Sequence, residues 1–344
     1  YGGPIYDIVD VGGTGGGWNT ATSLSSNGVV GGWGLDGAAD HRGFVWNGSS
    51  TVLATGSESH VNGVNAQGQA AGTVWNADGS SQATLWENGV ATAAGPGDSS
   101  AMAINESGQV TGSRAGAAFR GDASQQELAP IGSMWSAGYA IATGGAVAGT
   151  AQTNWGVFKA FYWGADGTVT WLGTLGGSSS YAHGVNDAGA VAGTSTTNSG
   201  YLHAFFWSSG QVQGLGTLGG TMSGAYDVNN LNQAVGYSLL ADGTSAAFLW
   251  TNGVMLDLNS LISPDSGWRL LEAIAINDGG QIAGTGTFQG QQRAFLLNPF
   301  EIQGFQGSLV AGAGETPTPE PATYALIGGA LIGLALFRRP GCSR

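Results

Sequence analysis

The chain has 344 residues, and nine Lys and Arg against 22 Asp and Glu give it a formal net charge of −13. This acidic balance is wrong for holding phosphate backbones, so nucleic acid is excluded as a partner. The 64 glycines indicate many turns, while 12 Trp and 12 Phe supply a packed core, which excludes a disordered chain. Cys342 is the single cysteine, so no intrachain disulfide forms.

From its N-terminal end, the chain repeats two short motifs. The first is Ala-Phe-x-Trp, which begins at Ala160, Ala204 and Ala247, with weaker copies at Gly43, Ala83, Ala118 and Ala294. The second is Asn-x-x-Gly-x-x-x-Gly, whose final glycine recurs at Gly32, Gly72, Gly112, Gly149, Gly193, Gly236 and Gly284. These glycines are 37 to 48 residues apart, so the sequence contains seven repeat units.

Each unit predicts four short strands joined by turns. One example is the set of segments 204–207, 211–215, 225–229 and 233–237, which are separated by Gly- and Asn-rich stretches. No stretch of 12 residues before position 320 has a convincing helical period. Units of about 40 residues with four strands each are typical of propeller blades. The sequence therefore predicts an all-β, seven-bladed β-propeller.

The two ends of the repetitive body predict that the ring is closed by their pairing. The body starts at a strand of the second type, residues 6–11, and finishes at a strand of the first type, residues 294–297. A very short turn joins these two types elsewhere, so we expect them to pair as hairpin partners. Residues 1–5 then form a lead-in and residues 6–299 the propeller. Which strand of each blade lies innermost is left open.

The central units resemble HAF repeats, named for the tripeptide His203-Ala204-Phe205. The fuller pattern includes the stretch Leu-Gly-Thr-Leu-Gly-Gly at residues 172–177 and 215–220. Unit four departs from it, with Gly121 in place of the Trp and Ala142 in place of the Asn, and the final unit has residues 259–261 where the glycine run should be. The resemblance implies an extracellular bacterial protein and supplies no catalytic residues.

Two sets of equivalent residues each admit a functional and a structural interpretation. Trp46, Trp86, Trp163, Trp207 and Trp250 either stack on sugars or pack between blades, and their strand positions favour packing. Asn65, Asn105, Asn186, Asn229 and Asn277 either bind a metal or form Asx turns, and the glycine that usually follows favours turns. The Ala-Asp-Gly triplets at Asp78, Asp166 and Asp242 likewise favour hairpin turns.

Four basic side chains precede the Ala-Phe strand in four units: Arg42, Lys159, His203 and Arg293. Equivalent positions on a ring lie at one height, so these residues form a possible collar for an anionic polysaccharide. The competing interpretation is strand-edge protection.

Catalysis and cofactors find little support in the sequence. No H-E-x-x-H or G-x-S-x-G motif occurs, and the four histidines lie far apart, so we predict no catalytic residue, metal or cofactor. Folding can still bring His183 near a carboxylate of a neighbouring blade. The rivals to a non-enzymatic structural or binding module are a glycan-active lyase or glycosidase, which needs convergent carboxylates or a Tyr/His pair with Arg, and a self-assembling surface protein.

The C-terminal part has the composition of a targeting segment. A Gly/Pro/Thr linker (300–318) precedes Pro319-Glu320-Pro321, an uncharged apolar segment (322–337), and Arg338-Arg339. Sixteen residues span about 24 Å as a helix, less than a hydrocarbon core of about 30 Å, which predicts one short transmembrane helix acting as a transient anchor. The arginines then stay on the cytoplasmic side.

This segment, residues 319–344, resembles the PEP-CTERM sorting signal. The resemblance rests on Pro319, Glu320, Pro321, the apolar segment, Arg338 and Arg339. It implies that an exosortase, a membrane protease-transpeptidase, processes the protein after export, and that the membrane holds it until then. We therefore expect an exported module of the cell envelope or extracellular matrix, with extracellular polysaccharide as a further partner. Export also requires a leader, which we expect upstream of Tyr1.

Overall fold

The computed structural model describes residues 5–53, 55–122, 126–128, 131, 134–154 and 156–300. Over this part of the chain, 28 β-strands form seven antiparallel sheets of four strands each. In each sheet, one edge strand contacts the equivalent edge strands of both neighbouring sheets. The sheets therefore close into a ring around a central channel, which these inner strands line. The predicted seven-bladed β-propeller is therefore confirmed. The linker and the apolar helix predicted for residues 322–337 lie outside the described residues.

The innermost strand of each blade is the one that ends at the repeated Asn-x-x-Gly turn motif. The inner strands are β2 (Asn19–Leu24), β6 (Glu58–Val64), β10 (Ser99–Ile104), β14 (Trp135–Ile141), β18 (Gly176–Val185), β22 (Gly219–Val228) and β26 (Trp268–Ile276). The second strands are β3 (Val30–Leu35), β7 (Ala70–Trp75), β11 (Val110–Arg114), β15 (Val147–Asn154), β19 (Val191–Thr197), β23 (Ala234–Leu240) and β27 (Ile282–Phe288).

The Ala-Phe-x-Trp motif forms the third strand of each blade. The third strands are β4 (His41–Trp46), β8 (Ser81–Glu87), β12 (Ala117–Gly121), β16 (Val157–Trp163), β20 (Leu202–Ser208), β24 (Ser245–Thr251) and β28 (Gln291–Pro299). The outer strands are β5 (Ser50–Leu53), β9 (Val90–Gly97), β13 (Gln126–Leu128), β17 (Val169–Trp171), β21 (Gln211–Gly216), β25 (Val254–Asp257) and β1 (Tyr6–Asp10). Each sequence unit, which starts at a third strand, therefore spans halves of two blades.

The ring closes in the seventh blade through strands from both ends of the chain. Strand β1 pairs antiparallel with β28, in a register that sets Tyr6 opposite Pro299 and Asp10 opposite Phe295. The predicted pairing of the terminal strands is confirmed. In the connection from β25 of the sixth blade to β26 of the seventh, the residues that replace the glycine run form a 3₁₀ helix, Leu258–Leu261, followed by a second at Pro264–Ser266.

The repeated aromatic residues pack between blades. Trp86 and Trp163 are fully buried, and Trp207 stacks on Tyr162 of the preceding blade with 6.0 Å between ring centroids. In the third blade, where glycine replaces Trp, the guanidinium of Arg120 lies 4.1 Å from the centre of the Trp163 ring of the next blade. Such stacking joins adjacent sheets, which is the packing interpretation of the Trp set.

A second repeated contact joins each third strand to the inner strand of the next blade. The backbone N–H of Gly43, Ala83, Ala118, Ala160, Ala204 and Ala294 donates to the side chain of Ser59, Ser99, Ser136, Ser180, Ser223 and Asn19, respectively. The blades approach so closely here that only a small residue fits at the donor position. This explains why the motif begins with Ala or Gly.

Candidate ligand site in the central channel

The propeller has two faces, which the direction of the strands defines. We call the face on which the inner and third strands begin the top face, and the face on which the inner strands end the bottom face. The bottom mouth is a polar vestibule of about 210 Å³, and the channel above it holds a separate cavity of about 380 Å³ that extends toward the top face.

The repeated asparagines form a chain of hydrogen bonds around the bottom mouth. The Nδ2 groups of Asn65, Asn105, Asn186, Asn229 and Asn277 donate to the backbone oxygens of Asn105, Ala142, Asn229, Asn277 and Ser25, respectively, at 3.0–3.2 Å. Each Oδ1 accepts a backbone N–H four residues later. The set forms Asx turns, as the sequence favours, and these turns also tie neighbouring blades together.

Acidic side chains surround the same mouth, and their oxygens already accept protein hydrogen bonds. Glu106 accepts from the Ser26 hydroxyl at 2.7 Å and from the Ala66 backbone at 2.9 Å, and so bridges three blades. The Asn230 amide donates to both Asp187 and Asp278. These carboxylates therefore accept hydrogen bonds that join neighbouring blades.

Asp227 is the exceptional residue of the channel wall. The equivalent position in the preceding blade is occupied by a glycine, Gly184, which lies against the Asp227 backbone. The carboxylate accepts the backbone N–H of Ile276 in the next blade at 2.9 Å. Burial raises the pKa of Asp227 to about 7, and the hydrogen bonds from the Ile276 and Val228 backbones only partly oppose this effect.

The larger cavity is lined by one equivalent position from each of the seven inner strands. These residues are Thr22, Asn62, Met102, Tyr139, His183, Tyr226 and Ile274, and Trp33 joins them from a second strand. The His183 ring lies edge-on to both Tyr139 and Tyr226, at centroid distances of 6.0 and 5.7 Å. Burial lowers the pKa of His183 to about 4, so its ring is neutral at physiological pH. The described lining therefore combines aromatic faces with a few neutral polar groups.

Tyr226 contacts a carboxyl group, that of Glu272 on the inner strand of the seventh blade. Burial raises the pKa of Glu272, while a hydrogen bond from Tyr226 partly opposes the rise. Burial also raises the pKa of Tyr226, and the charge of Glu272 adds to this effect. The expectation that folding brings His183 near a carboxylate is met only indirectly, because Tyr226 stands between His183 and Glu272 in the chain of contacts.

The four residues of the predicted basic collar are the second or third residues of third strands and therefore lie toward the top face. Arg42 pairs with Asp40 at 2.9 Å and Asp36 at 3.2 Å, and Arg293 lies 3.9 Å from Asp10. Lys159 donates to the Ser178 backbone at 3.0 Å, and His203 is partly buried. The four residues lie at a similar height because they occupy similar positions in third strands. Nearby carboxylates offset the positive charges of Arg42 and Arg293.

A cluster that the sequence did not indicate lies at the top of the first two blades. One ring nitrogen each from His41 and His60 and one carboxylate oxygen of Glu58 lie within 4.8 Å of one another. Trp33 stacks on His60 with 4.0 Å between ring centroids, and the Trp75 ring meets His60 edge-on at 4.7 Å. The histidines are 19 positions apart in sequence. The only available signal was the Glu-x-His alternation, which places Glu58 and His60 on one side of a strand.

Comparison with known proteins adds information at the other end of the chain. Residues 317–339 match the PEP-CTERM protein-sorting motif. The match includes Pro319, Glu320, Pro321, Arg338 and Arg339, and it implies export, sorting to the cell surface and processing by an exosortase. These residues lie outside the described part of the chain. Among the described residues, no helix has the length and apolarity needed to cross a membrane.

The solved structures that resemble this chain share little sequence identity with it. The β-propeller domain of the Trilobed protease from Pyrococcus furiosus, described as having an open velcro topology, is 10% identical with a TM-score of 0.54, covering 81% of this chain and 93% of that one. An acylaminoacyl peptidase is 12% identical with a TM-score of 0.52, covering 82% of this chain and 51% of that one. No curated protein matches the chain. These likenesses show the fold alone.

Proposed function

We propose that this protein is an exported, non-enzymatic binding module that an exosortase delivers to the cell envelope or matrix, where its channel cavity binds a neutral sugar of an extracellular polysaccharide. The resemblance to HAF repeats, which also implies an extracellular role, remains a prediction. The observation that carries the proposal is the cavity of about 380 Å³ with its aromatic and uncharged polar lining. Cavities of this kind are typical ligand sites.

The composition of the cavity favours an uncharged ligand. An ionised group buried there needs a partner of opposite charge, and no charged side chain is among the described lining residues at neutral pH. Aromatic rings offer flat apolar surfaces, while Asn62 and Thr22 offer hydrogen bonds to hydroxyl groups. A neutral sugar has both an apolar face and hydroxyl groups.

The test is a glycan array with residues 1–300, followed by calorimetry on the glycans that bind. Tyr226→Ala removes an aromatic side chain from the cavity, and we expect it to weaken binding by about tenfold or more. Trp171→Ala is the matched control, because Trp171 is an exposed aromatic residue on an outer strand. Binding that is confined to charged glycans, or that survives Tyr226→Ala, would contradict the proposal.

The basic collar supports a different ligand, an anionic polysaccharide. Replacing Arg42, Lys159, His203 and Arg293 together by Gln is expected to weaken retention on an anionic glycan column. The pair Lys159 and His203 should account for most of the loss, because Asp36, Asp40 and Asp10 lie beside the two arginines. Unchanged retention of the fourfold variant would remove the collar as a binding site.

A glycan-active enzyme remains the second candidate, favoured by the contact between Tyr226 and Glu272 beside His183. A lyase or glycosidase needs an acid and a base that both reach the substrate. Incubation of the bound glycan with the protein distinguishes the two functions. New reducing ends or unsaturated products that disappear in Glu272→Gln would identify an enzyme, whereas an intact glycan supports the binding module.

A further inference from the structure

We propose that His41, Glu58 and His60 form a zinc site on the top face, at the junction of the first and second blades. His41 begins the third strand of the first blade, and the other two residues lie on the inner strand of the second blade. The site is independent of the neutral-sugar proposal, because none of its three side chains lines the channel cavity.

The positions of the donor atoms suit one metal ion. His41 Nδ1 lies 3.6 Å from a Glu58 oxygen, and all three donor atoms fall within 4.8 Å of one another. Donors at 2.0–2.2 Å from a tetrahedral zinc ion are roughly 3.4 Å apart. Small side-chain movements therefore bring all three into coordination distance without a change in the strands.

An unsatisfied nitrogen gives independent support. The Nε2 atom of His60 is buried and has no hydrogen-bond partner among the described residues. Buried polar groups are nearly always paired in proteins, and coordination of a metal ion through Nε2 would satisfy this one. Stacking against Trp33 and the edge contact with Trp75 hold the His60 ring in one orientation, so little ordering is needed when the ion binds.

The chemical identity of the three donor atoms indicates which metal ion binds. Two imidazoles and one carboxylate are typical of zinc sites that keep a fourth position for water or a ligand, and they differ from the all-oxygen sets of calcium and magnesium. His41 and Glu58 are partly open to solvent, with 37% and 49% of their side-chain surface exposed. The fourth position therefore faces the top surface. There a water molecule occupies it, or an oxygen atom of a molecule bound at that face.

The experiment titrates the detergent-solubilised, chelator-treated full chain with Zn²⁺ by calorimetry, and with Co²⁺ while recording its visible spectrum. We expect one Zn²⁺ per chain in the wild type, together with the intense visible bands of tetrahedral Co²⁺. His41→Gln and Glu58→Gln should each weaken Zn²⁺ binding by at least about tenfold. Both residues lie at the surface, so both variants are expected to fold.

His203→Gln is the matched control, because His203 is the second residue of a third strand in another blade, away from Glu58 and His60. It should bind Zn²⁺ as the wild type does. Thermal unfolding provides a second measurement, since Zn²⁺ should raise the Tm of the wild type and of His203→Gln only. Failure of the wild type to bind Zn²⁺, or equal binding by His41→Gln and Glu58→Gln, would overturn the proposal.

Discussion

At the scale of the residue, the repeated asparagine has two structural functions. Its Oδ1 closes the turn between the inner and second strands, and its Nδ2 reaches the backbone of the next blade. Where the repeat lacks Asn, other contacts join the blades. Asn27 donates to the Ala66 backbone at 3.2 Å, and the Thr143 backbone donates to Asp187 at 2.8 Å. The ring of turns is therefore a structural link around the whole bottom mouth.

Asn277→Ala should lower the free energy of unfolding by about 1–3 kcal/mol, because it removes the bond to the Ser25 oxygen of the next blade and leaves the Gln281 N–H without its partner. Urea unfolding followed by tryptophan fluorescence measures the change. Asn76→Ala is the control, since Asn76 is exposed and its amide donates to Ser80 within a hairpin. Equal effects of the two substitutions would show that the contact between blades contributes nothing.

Asp227 predicts a pH dependence of stability. Burial raises the pKa of Asp227 to about 7 from an ordinary value of 3.8, so the folded state binds this proton more tightly than the unfolded state. The resulting stabilisation is fully present below pH 3.8 and is lost as the pH rises toward 7. Asp227→Asn does not titrate, so its stability relative to the wild type should rise over this interval by up to about 4 kcal/mol.

Unfolding by urea at a series of pH values measures this difference, with Asp242→Asn as the contrasting variant. A hydrogen bond from the Thr244 hydroxyl lowers the pKa of Asp242 from its ordinary value of 3.8, so the wild type loses that stabilisation as the pH falls below this value. The stability of Asp242→Asn relative to the wild type should therefore change with pH in the opposite direction. A flat difference for Asp227→Asn would mean that this carboxyl group titrates normally.

At the scale of the element, the pairing of β1 with β28 holds the ring closed. Every other blade is built from consecutive hairpins, whereas this pair joins residues almost 300 positions apart. Closing so long a loop costs considerable chain entropy. The contacts that offset this cost form only when the seventh blade is complete. Because β1 is the outer strand of its blade, it is held on one side only.

A disulfide across this pair should stabilise the propeller strongly. Asp7→Cys and Asn298→Cys are directly opposite and lie outside the buried core, and Cys342→Ser prevents mispairing. The chain-entropy model predicts a gain of about 5–6 kcal/mol for so long a loop and far less for a short one. The control joins Ser208→Cys to Gln211→Cys within one hairpin. Equal Tm increases for the two crosslinks would argue against closure as the limiting step.

At the scale of the whole molecule, the surface decides between a monomeric module and a self-assembling one. Several large apolar side chains are exposed on or next to outer strands, among them Val90 at 66% and Trp171 at 45%. Four of them, Val52, Val90, Trp171 and Val254, lie on the outer strands of four different blades, and this spread favours a monomer.

Light scattering of residues 1–300 is expected to give the mass of one chain across the micromolar range. The matched measurement uses Val90→Ser together with Trp171→Ser. If the wild type forms larger particles that these substitutions disperse, the protein assembles through its outer strands, and the self-assembly alternative replaces the binding module.

The sequence by itself determined the local features of this protein. Hairpin spacing, turn residues and the repeat period depend on neighbouring residues, so they predicted the strands, the seven blades, the Asx turns and the closing pair. The PEP-CTERM match is equally local, because its recognition depends on a contiguous segment.

Only the tertiary structure decided which strand faces the channel, since all four strands of a blade are short, glycine-rich and similar in pattern. It also decided which side chains meet across blades. His41 joins Glu58 and His60, and Tyr226 joins His183 and Glu272, through contacts between residues that the ring brings together. Such contacts depend on how each blade is oriented against its neighbour and on the strand register, and no single repeat encodes either of them.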